Sequence, residues 1–134
     1  MDQEDEDQTG EREVAGRRVL VVEDEFLISD DISVTFARLG VSTIGPAHTL
    51  EGAMLLLESS AKVDGAVLDI NLQGQMVFPL ADALRQRCVP FVFATGYSQS
   101  VIPERFQAVP RCEKPVDPAK VLHALFAVAS RSAN

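Results

Sequence analysis

Short apolar runs alternate with amphipathic segments along most of the chain. The residues Ile28, Ile32, Phe36 and Leu39 recur at helical spacing, and Gly40 is expected to end that helix. The alternation predicts an α/β fold, in which five parallel strands form a doubly wound sheet with five helices on its two faces. The runs that predict strands are 17–22, 41–47, 64–70, 89–95 and 109–115.

The sequence signals for the predicted helices differ in strength. Thr49 is expected to cap the second helix, and Asp117 the last one, with Pro118 in its first position. The segment after the fourth strand is interrupted by Pro103, so only a turn or two is expected there. Residues 71–75 are predicted to form a loop, and Gly45-Pro46 is expected to break the second strand.

Charge is distributed unevenly along the 134 residues. Residues 1–16 carry seven acids and one Arg, so six of the eight net negative charges lie there. This composition predicts an acidic disordered tail over 1–16, one domain over 17–131 and a short tail over 132–134. An acidic chain without a basic stripe argues against nucleic-acid binding. The sequence lacks an apolar run of membrane-spanning length and contains two cysteines without a metal or redox spacing, so a cytoplasmic protein is expected.

Polar residues follow the predicted strands at one end. Glu23 and Asp24 come after the first strand, Asp69 ends the third, Thr95 ends the fourth and Lys114 ends the fifth. Because parallel strands end at the same edge of a sheet, these side chains are expected to meet there. Three adjacent carboxylates resist ionisation unless a cation joins them, and oxygen ligands of this kind suit Mg²⁺.

The same residue types point to phosphoryl transfer. A carboxylate on the central strand, Asp69, is the expected nucleophile for an aspartyl-phosphate. Lys114 and the Thr95 hydroxyl would contact phosphoryl oxygens, and the backbone carbonyl of Asn71 would complete the metal site. Each residue alone is more often a helix cap, a turn or a loop residue than part of a functional site. Their order at successive strand ends favours the functional interpretation.

Four motifs, "VLVVEDE", "AVLDINL", "FVFATGY" and "EKPVDP", resemble the receiver domain of bacterial two-component response regulators over residues 17–130. The resemblance implies Mg²⁺-dependent phosphotransfer from a histidine kinase, a flavodoxin-like fold with strand order 2-1-3-4-5, and a cis Lys114-Pro115 bond. It implies catalysis only of the protein's own phosphorylation and dephosphorylation. The family's site residues match Glu23 and Asp24 as the acidic pair, Asp69 as phosphoacceptor, Thr95 as the hydroxyl and Lys114 as the lysine.

The motif "FATGYS" is similar to an alphaproteobacterial subgroup of receivers. That resemblance implies a single-domain regulator that works with a histidine kinase of the HWE or a related class, in several cases in general stress signalling. It implies a monomer or weak dimer that acts by protein–protein contact or as a phosphate sink. The downstream partner is not indicated.

The chain departs from the family pattern at three places. Arg111 stands where receivers usually carry an aromatic residue that moves on phosphorylation, which makes Tyr97 the candidate substitute for the switch. Gln73 replaces a frequent Pro, so the loop after Asp69 is expected to be more mobile. Pro103 shortens the fourth helix and is expected to reshape a surface that many receivers use for dimers.

The sequence leaves three alternatives open. A phosphatase of the haloacid dehalogenase type would need a second Asp two residues after its nucleophile, whereas Asp69 is followed by Ile70 and Asn71. A flavodoxin-type flavin protein would need a phosphate-binding loop after the first strand, where "EDEF" would repel phosphate. A receiver-fold binding module that is not phosphorylated is the third alternative.

Overall fold

The main sheet is made of five parallel strands, in a computed structural model that describes residues 14–96 and 102–127. The strands are β1 (Arg18–Val22), β2 (Ser42–Ala47), β3 (Gly65–Asp69), β4 (Phe91–Thr95) and β5 (Arg111–Glu113). Their order across the sheet is β2-β1-β3-β4-β5. The predicted flavodoxin-like order is therefore confirmed.

In the described residues, three α-helices and one 3₁₀ turn connect these strands, and a fourth α-helix follows β5. They are α1 (Phe26–Arg38), α2 (Leu50–Ser59), α3 (Phe78–Gln86), the 3₁₀ turn Glu104–Phe106 and α4 (Pro118–Leu122), which continues as a π-helical stretch, His123–Ala127. In the crossover between β4 and β5, the sequence predicts only a turn or two of helix. Only the 3₁₀ turn follows Pro103 there, as its position predicts.

Side chains of the central strands alternate between two apolar cores, as the pleat requires. Leu20 and Val22 of β1 point to the core under α2 and α3, whereas Val19 and Val21 point to the core under α1 and α4. All five residues of β3 and all five of β4 are buried. This burial on both faces explains why these strands read as continuous apolar runs.

An aromatic cluster fills the first core next to the 3₁₀ turn. The ring of Phe106 lies 5.8 Å from that of Phe78, 6.0 Å from Phe91 and 5.8 Å from Phe93, measured between centroids. Phe106 is fully buried. The turn is therefore attached to the sheet by one ring that contacts both β4 and α3.

The second strand is bulged rather than broken at Gly45-Pro46. Ile44 pairs with Leu20 and Ala47 pairs with Val22, with a register shift between them. Gly45 has φ +93°, and a Cβ there would lie 2.6 Å from the backbone nitrogen of Ala47. Glycine is thus required by both the backbone angle and the space.

Thr49 caps α2 as the sequence predicts, because its side-chain oxygen accepts a hydrogen bond from the Gly52 backbone nitrogen at 3.0 Å. We expect Thr49→Ala to lower the free energy of unfolding by about 1 kcal/mol. Thr49→Ser keeps the oxygen and should remain close to wild type. Urea denaturation of the three proteins measures the difference, and equal midpoints for Ala and Ser would contradict the cap.

Within the described residues, contacts with the domain include Val14, three residues before the boundary expected from composition. The Gly16 nitrogen donates to the Gly40 carbonyl at 2.8 Å, and Val14 packs against the second core. Residues 1–13 and 128–134 lie outside the described residues, so the two predicted tails stay predictions. Within the described ranges, no helix combines the length and apolar character needed to cross a bilayer.

Candidate functional site

The polar residues predicted from the strand ends come together at the carboxyl edge of the sheet. Glu23 directly follows β1, Asp69 is the last residue of β3, Thr95 is the last residue of β4, and Lys114 directly follows β5. β1, β3, β4 and β5 are consecutive neighbours, so their ends lie side by side. The backbone nitrogen of Lys114 donates to the Thr95 carbonyl at 3.0 Å, which holds these two positions in register.

Three carboxylates and one ammonium form the centre of the site. Carboxylate oxygens of Glu23, Asp24 and Asp69 lie within 4.8 Å of one another. The Lys114 Nζ atom lies 3.2 Å from Asp69 Oδ1 and 3.4 Å from Glu23 Oε1. Glu23 and Asp69 are 2% and 6% exposed, so two of the three carboxylates are removed from water. This concentration of buried negative charge exceeds what one lysine neutralises.

The crowding changes the acidity of the aspartates. Burial, and next the negative charge of Glu23, raise the pKa of Asp69 from 3.8 to about 7, although Lys114 opposes the change. For Asp24, burial raises the pKa, but hydrogen bonds with the side chains of Glu23 and Asp69 outweigh burial and hold it below its ordinary value of 3.8. The backbone nitrogen of Glu25 donates to Glu23 Oε2 at 3.0 Å. Asp69 is therefore partly protonated near neutral pH in the metal-free protein.

A cavity of about 350 Å³ opens over these groups. Asp24, Asp69, Thr95 and Lys114 line it on the side of the strand ends. Gln73, Gly74 and Met76 line it as well, and nothing in the sequence indicated that they would. A small anionic group can therefore reach Asp69 from solvent.

The wall opposite the strand ends is a short hairpin where the sequence predicts a loop. Asn71–Leu72 pairs antiparallel with Gln75–Met76. Gln73 and Gly74, with φ of 55° and 93°, form the turn, and a turn with two positive φ values is typical of tight hairpins. Gly74, between two short polar stretches, is the one local sequence signal for this turn. Strands of two residues are too short to show the alternation of polar and apolar residues that predicts a strand.

Asn71 starts this hairpin, and its side-chain oxygen accepts a hydrogen bond from the Gly74 nitrogen at 2.6 Å. Its side chain thus stabilises the turn, while the residue lines the cavity next to Asp69. Participation of its backbone carbonyl in a metal site stays a prediction. Tyr97, the candidate switch residue, lies outside the described residues. The Lys114-Pro115 bond is cis, as the resemblance implied, and a second cis bond joins Gly45 and Pro46.

The carboxylate cluster fits a divalent cation that prefers oxygen ligands. Three carboxylate oxygens close together, two of them from buried residues, match the charge and donor type that Mg²⁺ binds. Lys114 already neutralises part of this charge, so a cation has to share the carboxylates with its ammonium group. The residues that would hold the ion are Glu23, Asp24 and Asp69.

The raised pKa of Asp69 predicts how the metal-free protein responds to pH. Between about pH 4 and 7 the folded protein keeps a proton on Asp69 that the unfolded chain has released, so stability falls as pH rises through this window. The substitution Asp69→Asn removes the carboxyl group that titrates, and with it this loss of stability. Allowing for screening by solvent, we expect it to be more stable than wild type by about 2 kcal/mol at pH 8 in EDTA.

Urea denaturation in EDTA at pH 5 and pH 8 measures this effect. At pH 5 the two proteins should be closer in stability than at pH 8. Asp30→Asn, at an exposed position on α1, is the matched control and should change little. If the stabilities of Asp69→Asn and wild type change equally between pH 5 and pH 8, the result would contradict the raised pKa of Asp69.

Two solved structures show what this chain is similar to. The solution structure of SdrG from Sphingomonas melonis Fr1 is 38% identical with a TM-score of 0.71, over 81% of this chain and 95% of SdrG. The crystal structure of a response regulator receiver protein from Pseudomonas putida is 24% identical with a TM-score of 0.69, over 83% of this chain and 97% of that one, and shares the fold.

Sequence comparison adds one curated relative and no family model. The sensory transduction protein LytT of Bacillus subtilis (strain 168) is 30% identical over 112 residues, or 81% of this chain. The chain spans 46% of the length of LytT. No protein-family model matches the chain. The match to SdrG extends over 95% of that protein, and the chain shares the fold and has an acidic site at the strand ends. We conclude that this chain belongs to the receiver-domain family of response regulators.

Proposed function

We propose that this response regulator accepts a phosphoryl group on Asp69 in a Mg²⁺-dependent reaction. The observation that carries the proposal is the position of Asp69: it lines a solvent-accessible cavity, its carboxylate lies 3.2 Å from the Lys114 ammonium, and it lies within 4.8 Å of the buried Glu23 carboxylate. Asp69 is the carboxylate of the cluster on the central strand, β3. A nucleophile there is fixed by the sheet and still accessible to a phosphodonor.

Transfer of the phosphoryl group is a displacement at phosphorus. An Asp69 carboxylate oxygen forms the new P–O bond while the P–N bond of a phosphohistidine breaks. The leaving imidazole nitrogen takes the electron pair and is protonated by solvent. Because Asp69 must attack as the carboxylate, its raised pKa makes the nearby positive charge of Lys114 important for holding it ionised.

Three groups stabilise the charge that develops. Lys114 places its ammonium 3.2 Å from the nucleophile, where it can donate to a phosphoryl oxygen. Thr95 lines the same cavity from the end of β4 and supplies a hydroxyl donor. Mg²⁺ bound by Glu23, Asp24 and Asp69, with the Asn71 carbonyl, would supply the Lewis-acid neutralisation of the transferring group.

The partners belong to this proposal too. We propose that a histidine kinase of the HWE or a related class donates the phosphoryl group. We also propose that the protein acts in the cytoplasm, in general stress signalling. The motif "FATGYS" supports this choice. The protein would be a monomer or weak dimer and would act on a partner protein or as a phosphate sink, without catalysing reactions beyond its own phosphorylation and dephosphorylation.

Intact-protein mass spectrometry after incubation with acetyl phosphate tests the proposal. Wild type should gain one phosphoryl group with Mg²⁺ and none with EDTA, and Asp69→Asn should gain none under either condition. Asp30→Asn, at an exposed position on α1, should behave as wild type and excludes an effect of charge alone.

Two results would contradict the proposal. A phosphoryl group on Asp69→Asn would place the acceptor elsewhere. Wild type that gains nothing, from acetyl phosphate or from kinases of the HWE class, would favour a binding module that is not phosphorylated.

A further inference from the structure

The turn of the hairpin that forms one wall of the cavity contains a residue under backbone strain. Gln73 has φ +55°, and Gly74 after it has φ +93°. Such left-handed turn positions ordinarily hold glycine or asparagine, because a Cβ crowds the backbone there. Gln73 therefore keeps a long carboxamide side chain where glycine would relieve the strain. Backbone strain of this kind is concentrated at functional sites, which points to a use for this side chain.

The side chain of Gln73 lies where it can act on a group attached to Asp69. Gln73 lines the same cavity as Asp69, and it is exposed to the solvent that enters there. The turn is held by the hydrogen bond from the Gly74 nitrogen to the Asn71 side chain at 2.6 Å. Gln75, on the same hairpin, is also exposed but does not line the cavity. The cavity therefore distinguishes the two glutamines.

Hydrolysis of an aspartyl-phosphate needs a hydrogen-bond acceptor in this cavity. A water that attacks phosphorus directs an oxygen lone pair at it, so its hydrogens have to be accepted by other groups. The Lys114 ammonium can only donate. The oxygen of the Asn71 side chain is already bonded to Gly74. Among the described residues that line the cavity, two side-chain acceptors remain once the proposed metal ligands and phosphoryl contacts are set aside, Glu25 and Gln73.

We propose that the carboxamide of Gln73 orients the water that hydrolyses the aspartyl-phosphate on Asp69. The inference rests on the proposed function of Asp69. Gln73 is neutral, so it can approach a phosphoryl group that would repel the carboxylate of Glu25. Its oxygen accepts a hydrogen from the water, as a positioned glutamine does in GTPases.

Hydrolysis is a second displacement at phosphorus. The water oxygen forms the new P–O bond while the bond between phosphorus and the Asp69 oxygen breaks. The electron pair of the broken bond returns to the Asp69 carboxylate, and the water releases one proton to solvent. The products are inorganic phosphate and the free carboxylate. Gln73 orients the water and takes no proton, because a carboxamide is not a base near neutral pH.

Two substitutions remove the carboxamide in different ways. Gln73→Met keeps the length of the side chain but offers only a weak acceptor. Gln73→Gly removes the side chain and relieves the positive φ, so it should be at least as stable to urea as wild type. In both variants the phosphorylated protein should last about three to ten times longer, the effect of losing one hydrogen bond of ordinary strength. Slower hydrolysis in a variant that is no less stable cannot come from a damaged fold.

The experiment follows the loss of the phosphoryl group from the full chain. The protein is loaded with acetyl phosphate and Mg²⁺, separated from the donor by rapid desalting, and followed by intact-protein mass spectrometry. The loss is first order, so its rate does not depend on how much protein was loaded. Gln75→Met, on the same hairpin but outside the cavity lining, is the matched control and should keep the wild-type lifetime. Glu25→Gln tests the other acceptor and should change the lifetime less than Gln73→Met.

The outcomes separate this inference from the proposed function. The inference fails, and the proposed function stands, if the Gln73 variants lose the phosphoryl group as fast as wild type or faster. A faster loss would show that Gln73 excludes water instead of orienting it. The inference also fails if Gln75→Met or Glu25→Gln slows the loss as much as Gln73→Met does. If wild type gains no phosphoryl group from acetyl phosphate or from a kinase of the HWE class, the proposed function fails and the inference fails with it.

Discussion

Replacing Phe106 with alanine is expected to lower the free energy of unfolding by about 4 kcal/mol, which is typical of a fully buried phenylalanine. Phe106 is 0% exposed, and its ring lies within 6.0 Å of three other phenylalanine rings. The guanidinium groups of Arg85 and Arg105 lie 4.8 and 4.6 Å from the ring centroid. The substitution therefore leaves a cavity in the core and removes two cation–π contacts.

Urea or thermal denaturation measures this loss. Leu55→Ala, at a position 60% exposed on α2, is the control and should stay within about 0.5 kcal/mol of wild type. Phe106→Leu should fall between wild type and alanine, because it fills part of the space. A Phe106→Ala protein as stable as Leu55→Ala would mean that the 3₁₀ turn contributes little to the fold.

Replacing Lys114 with methionine is expected to slow labelling by acetyl phosphate roughly a hundredfold, the usual effect of removing one group that stabilises transition-state charge. Burial alone lowers the pKa of the Lys114 ammonium, but Asp69 and Glu23 raise it above its ordinary value of 10.5, so the group is charged at neutral pH. Methionine keeps an unbranched apolar stem and removes the charged hydrogen-bond donor.

The same substitution should increase the affinity for Mg²⁺. The Lys114 ammonium neutralises Asp69 and Glu23, which are two of the three carboxylates that would hold the ion. Isothermal titration calorimetry measures the affinity, and Lys62→Met, at an exposed position, is the control for both readouts. A folded Lys114→Met protein that is labelled at the wild-type rate would contradict the assigned role. Weaker Mg²⁺ binding would show that lysine supports the ion rather than competing with it.

The common location of the site residues is predictable from the sequence because parallel strands impose it. An apolar run shows where a buried strand ends, and the residue after it lies at the sheet edge, so the pattern alone places Asp69 and Lys114 close together. The distances between them, and the pKa of Asp69, depend on the burial of Glu23 and on the packing of three strands. Those quantities have no local sequence signal.

Two parts of the fold are not predicted from the sequence, for different reasons. The hairpin at 71–76 has strands of two residues, and Gln73 adopts a positive φ that is uncommon for its residue type. Gly45-Pro46 is typical of an interrupted strand, but a bulge with a positive φ at Gly45 lets β2 continue to Ala47.

The bulge in β2 has a consequence for how copies of the protein meet. β2 is an edge strand of the sheet, and an unprotected edge invites another chain to add a strand and aggregate. Pro46 has no amide hydrogen to offer there, and the register shift at Gly45 disturbs the ladder. The opposite edge, β5, is only three residues long. Both edges are therefore poor templates for strand addition by another copy of the chain.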